Sequence, residues 1–131
     1  MATIKNYTDV AQSRKLAEIL PLESADMCWI QIYDENHMMS DNRVELIPFR
    51  FYSGIGVPCW SLAALLDVLE SEINSEDGET YQLNIEKDGT WWYITYLERY
   101  DESNDIETKP TEELIDACYE MILKLKELNL L

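Results

Sequence analysis

The sequence predicts an α+β fold with element order α-β-β-α-β-β-α: an antiparallel sheet of about four strands with helices packed on one face. Three observations carry that expectation. An Asp88-Gly89 pair sits between two runs that alternate apolar and polar residues, a strong local mark of a β-hairpin. Leu62, Leu65, Leu66, Leu69 and Ile73 recur at helical spacing and give one face of an amphipathic helix near the middle of the chain. Leu114, Ile115, Cys118, Met121, Ile122, Leu125 and Leu128 form a longer stripe of the same period. The chain has 131 residues, so one domain over 1–131 is expected, long enough to bury a core without disulfides or metals.

Taken in order, 7–20 reads as the first helix, capped by Asn6 or Thr8, with Arg14 and Lys15 placed to suit the helix dipole. Pro21 ends it. Residues 27–33 read as a strand, with Cys28, Ile30 and Ile32 on one side and Trp29, Gln31 and Tyr33 on the other. A polar loop over 34–43 leads to a second strand over 44–52, which Pro48 restricts to an edge or a bulge. The central helix follows over 58–70, with Pro58 and Ser61 as start signals. In the hairpin, an Asp88-Gly89 turn sets Lys87 opposite Thr90, Ile85 opposite Trp92, Leu83 opposite Ile94 and Tyr81 opposite Tyr96. One face then carries Tyr81, Leu83, Ile85, Trp92, Ile94 and Tyr96; the other carries Gln82, Asn84, Glu86, Trp91, Tyr93 and Thr95. Residues 98–109 form an acidic connection, and Pro110 opens the last helix.

Charge bounds the function. Ten Lys and Arg face 26 Asp and Glu, a net charge of −16. Direct binding to nucleic acid or to an anionic membrane needs neutralising cations, so both are disfavoured. The charge instead suits solubility, a basic protein partner, or imitation of a polyanion. Cys28, Cys59 and Cys118 are odd in number and widely spaced, matching neither a disulfide framework nor a zinc site. The opening residues lack the apolar core of a signal peptide, and no apolar run nears the ~20 residues that span a bilayer. A cytoplasmic protein is the expectation.

Three stretches, at 16–27, 58–69 and 116–122, read Leu-Ala-Glu-Ile-Leu-Pro-Leu-Glu-Ser-Ala-Asp-Met, Pro-Cys-Trp-Ser-Leu-Ala-Ala-Leu-Leu-Asp-Val-Leu and Asp-Ala-Cys-Tyr-Glu-Met-Ile. In them the chain resembles a family of small acidic proteins associated with prophages and other mobile elements of gut anaerobes. The resemblance implies a phage or mobile-element context and assigns no catalytic or binding residue.

No catalytic constellation can be written. His37 has Asp34 and Glu35 nearby but no nucleophile motif. Cys59 lies near a helix start, which lowers a thiol pKa, yet Trp60 and the leucines beside it favour a buried, inert thiol. Asp101, Ser103, Asp105, Glu107 and Glu112 match positions 1, 3, 5, 7 and 12 of a calcium loop, but Ile106 stands where that loop needs glycine. Gly54-Ile55-Gly56 lacks the third glycine or the lysine of a phosphate loop. No metal and no cofactor are therefore expected. Trp91 and Tyr93, sharing a mixed polar face with Glu86, are the candidate partner-binding residues, because aromatic side chains concentrate at interface hot spots. The expected function is a non-enzymatic acidic interaction module, in its sharper form an inhibitor or DNA mimic. The alternative is an immunity-type protein that neutralises a cognate toxin. Leu128, Leu130 and Leu131 can dock on the core or on a second copy, so a homo-oligomer stays open.

Overall fold

The computed structural model describes residues 4–33 and 39–131. It is α+β, with three α-helices and two antiparallel sheets. The chain divides into two compact units, Tyr7–Ala64 and Leu65–Leu131, the latter joined by the opening residues through Asn6.

The Tyr7–Ala64 unit holds helix α1 (Val10–Ala17) and strands β1 (Met27–Tyr33), β2 (Met39–Pro48) and β3 (Val57–Cys59), in the sheet order β2-β1-β3. Helix α1 starts later than the apolar pattern suggests because Asp9 caps it: the Asp9 carboxylate accepts from Gln12 N, and the Gln12 side chain accepts from Asp9 N. Thr8 does not cap. It is fully buried, and its hydroxyl accepts from Trp60 N at 3.2 Å and shares a proton with Ser13 Oγ at 2.7 Å. Its carbonyl accepts from Trp29 Nε1 at 3.0 Å, from Ser13 Oγ at 3.3 Å and from Cys59 Sγ at 3.4 Å. Thr8 thus ties the start of α1 to β1 and β3.

Strand β2 ends at Pro48, on the sheet's edge, where the missing N–H costs no ladder bond. Residues Phe49–Phe51, expected as strand, form a 3-10 turn instead. Gly54-Ile55-Gly56 leads into β3 rather than into a helix, and Pro58 lies in β3 opposite Cys28. Gly56 is required there. Its φ is +111°, and a Cβ would sit 2.5 Å from the Trp29 carbonyl oxygen. Gly56→Ala is expected to destabilise this unit by about 1–3 kcal/mol, read as a lower urea midpoint. An unchanged midpoint would contradict the close approach.

Helix α2 (Leu62–Val68) starts only after β3. Ser61 caps it, accepting from Ala64 N at 3.2 Å, and is itself held by the Asp26 carboxylate.

The Leu65–Leu131 unit holds β4 (Glu72–Asn74), β5 (Thr80–Asp88), β6 (Trp91–Glu98), β7 (Ile106–Glu107) and α3 (Leu114–Glu127), with sheet order β4-β5-β6-β7. Ile73, grouped above with the helical stripe, is instead a buried residue of β4. Helix α3 begins at Leu114 and not at Pro110, because Thr111 bridges to Trp92 through backbone bonds of 2.7 and 3.2 Å. Ile115, Ala117, Cys118, Met121, Ile122 and Leu125 are buried along it. On the sheet, Ile73, Tyr81, Ile94, Tyr96 and Ile106 are buried. All five share one face by register, so α3 packs on that face.

Candidate functional site: the open sheet face

The hairpin register differs from the expected one. Asp88 pairs with Trp91, Glu86 with Tyr93, Ile85 with Ile94 and Leu83 with Tyr96. The turn residues are therefore Gly89 and Thr90. Of these only Gly89 has positive φ, at 61°. An Asp88-Gly89 turn of the I′ kind would need positive φ at both residues, whereas glycine first in the turn satisfies the II′ kind alone. The pairing moves by two residues in total. An even shift leaves each residue on its own face, so the expected two faces survive.

The face away from α3 carries Glu72 and Asn74 on β4, and Thr80, Gln82, Asn84, Glu86 and Asp88 on β5. On β6 it carries Trp91, Tyr93, Thr95 and Leu97, and on β7 Glu107. Trp91 is 44% exposed, Leu97 41% and Tyr93 36%, and Glu86 is exposed as well. Glu86 is the direct cross-strand neighbour of Tyr93, so the three candidate residues do come together. Every charged residue that the four strands place on this face is acidic. Lys87 points to the other side, where its ammonium lies 5.1 Å from the Trp92 ring. Leu97, which the expected face does not include, joins it by continuing the alternation 91, 93, 95, 97.

The other candidate chemistry does not assemble among the described residues. His37, Asp34 and Glu35 lie outside them. Cys59 is fully buried and bonded to Thr8, and burial pushes its thiol pKa up, away from reactivity. Cys28 and Cys118 are also buried with raised pKa, Cys118 to about 12. The acidic connection is organised around its own backbone. Asp101 accepts from Ser103 N and Oγ, which holds its carboxyl below the usual range, and Asp105 accepts from Glu98 N at 2.7 Å. No group of three His, Cys, Asp or Glu among the described residues is placed to hold a metal. A groove of about 760 Å³ along Lys109–Thr111 and the Glu120–Glu127 side of α3 mixes Lys109 and Lys124 with three glutamates, with no single sign of charge. No helix among the described residues is long and apolar enough to cross a membrane.

The arrangement defines a class: an α+β protein in which a four-stranded sheet is covered by a helix on one face and presents aromatic and acidic side chains on the other. Comparison with protein-family models, with curated proteins and with solved structures finds no match.

Proposed function

We propose that the protein is a non-enzymatic interaction module that binds a basic protein partner through the open face of the β4-β5-β6-β7 sheet. The observation that carries this reading is the pairing of exposed Trp91 and Tyr93 with a face on which every charge contributed by the described strands is acidic: Glu72, Glu86, Asp88 and Glu107. Exposed aromatics desolvated at a contact supply most of its energy, and surrounding charge selects the partner and speeds its approach. Gln82, Asn84 and Thr95 interrupt the acidic rows, which favours an anchored protein contact over a continuous imitation of the DNA backbone. A phage or mobile-element origin is part of the proposal, with inhibition of a host protein as its role. The immunity reading uses the same face, and a toxin-like gene beside this one would favour it.

The test is a capture of partners from nuclease-treated host lysate by the wild type, by Trp91→Ala/Tyr93→Ala, and by Glu72→Gln/Glu86→Gln/Asp88→Asn/Glu107→Gln. A basic partner is expected to bind the wild type, to weaken at least about tenfold with the aromatic pair removed, and to lose its salt sensitivity in the charge variant. The two aromatics are exposed, so thermal stability should hardly change. A partner retained equally by all three proteins would overturn the reading.

A further inference from the structure

The hairpin's two outer edges are protected unequally. β6 is flanked by β7 at Thr95 and Tyr96 and by the Thr111 bridge at Trp92. β5 is flanked by β4 only from Thr80 to Gln82, and Leu83 N then donates to Ser71 O at 3.0 Å. Along β5 the backbone groups alternate in direction. Thr80 O accepts from Arg99 N on the β6 side, while Leu83 N points to the β4 side. Odd-numbered residues therefore face outward. Ile85 and Lys87 consequently present N–H and C=O groups that have no partner among the described residues, and both side chains are exposed. Such an edge is a template for an added strand.

Building on the interaction reading above, we propose that the free edge of β5 over 84–88 captures an extended segment of the partner as a fifth strand, and that this segment alternates basic and apolar residues. The alternation follows from register. Residues of an added strand lying beside Asn84, Glu86 and Asp88 share the acidic open face, where Arg or Lys fits. Residues beside Ile85 fall on the other face, where an apolar side chain fits. A second copy of this chain is the wrong occupant, because each copy carries −16 and would set acidic rows side by side. An added segment of five residues would span about 17 Å, and its main-chain bonds would supply affinity while its basic side chains supply selection.

The probe is a blocked seven-residue peptide alternating Arg and Val, compared with a peptide of the same composition in two blocks. Binding is followed by titration and by amide hydrogen exchange on the wild-type protein. The alternating peptide is expected to bind at least about fivefold more tightly and to slow exchange at Ile85 and Lys87. Glu86, already bonded across to β6, should change little. Lys87→Pro removes one outward donor at an edge position that tolerates proline, and should weaken the peptide about three- to tenfold relative to Lys87→Ala. Equal binding of both peptides, or no new protection at Ile85 and Lys87, overturns the proposal. Protection of those amides by self-association without peptide also overturns it, in favour of a second copy. A partner that needs Trp91 and Tyr93 but ignores Lys87→Pro leaves the open face standing and removes the edge.

Discussion

Raising the pH from 9 to 12 is expected to unfold the Leu65–Leu131 unit. Burial pushes the Cys118 thiol from its ordinary 9.0 up to about 12. Tyr81 is raised from 10.0 to about 12, chiefly because its hydroxyl donates to the Glu79 carboxylate at 2.5 Å and secondarily by burial. Burial raises the Tyr96 hydroxyl too, which donates to Glu70 O at 2.7 Å. Once unfolded, these groups ionise near their ordinary values, so between pH 9 and 12 the unfolded chain holds fewer protons than the native one. Stability is thus complete below pH 9 and falls as the pH climbs toward 12. The Cys118 thiol, raised from 9.0 to about 12, removes on the order of 3–4 kcal/mol by the top of that window. Tyr81 and Tyr96 add to that loss, which together approaches the lower end of a small domain's stability, about 5–15 kcal/mol. Far-ultraviolet circular dichroism followed against pH should fall in one cooperative step above pH 10. Dichroism intact past pH 12 would refute the burial argument.

Trp60→Ala should cost the Tyr7–Ala64 unit about 3–5 kcal/mol, the range for deleting a large buried aromatic. Trp60 is fully buried and heads the largest such side chains in the protein. Its indole N–H donates to Ser24 Oγ at 2.9 Å, and its backbone exchanges bonds with Thr8: its N–H donates to the Thr8 hydroxyl, and its carbonyl accepts from Thr8 N at 3.0 Å. The substitution keeps the backbone bonds and removes the volume around which Thr8, Ser24 and Cys59 are arranged. Trp60→Phe retains much of that volume and should lose markedly less. Urea titration of both variants decides the matter, and a loss under about 1 kcal/mol for Trp60→Ala would show that the cavity collapses.

The α+β class and the two faces of the hairpin were legible because alternation survives any even change of register, so Trp91, Tyr93 and Glu86 could be placed together before the turn was known. The turn itself differs from the one the sequence suggests. Asp88-Gly89 is a good I′ sequence, but Gly89 also serves as the first residue of a II′ turn, and local sequence does not choose between them. The short strands β3, β4 and β7 escaped because two or three residues cannot display a period. A hydroxyl just before a helix usually caps it, so the sequence alone suggests that role for Thr8. Its role as a buried hub depends on Trp29, Cys59 and Trp60, which lie far along the chain. The free edge of β5 is invisible for a similar reason, since it exists only because β4 flanks β5 no further than Gln82.

Tyr7 and Ser61 form an antiparallel bridge, and Thr8 N donates to Trp60 O at 3.0 Å, so the chain enters and leaves Tyr7–Ala64 at adjacent points. Just before that entry, Lys5 N donates to Glu113 Oε2 at 3.2 Å and Lys5 Nζ pairs with Asp116 Oδ1 at 2.7 Å, both at the start of α3. The Tyr7–Ala64 segment therefore has the topology of an insert: a cassette whose ends meet, spliced between an opening stretch and a body that belong together. Cassettes of this form can be added to or exchanged within a host fold without prising its own ends apart.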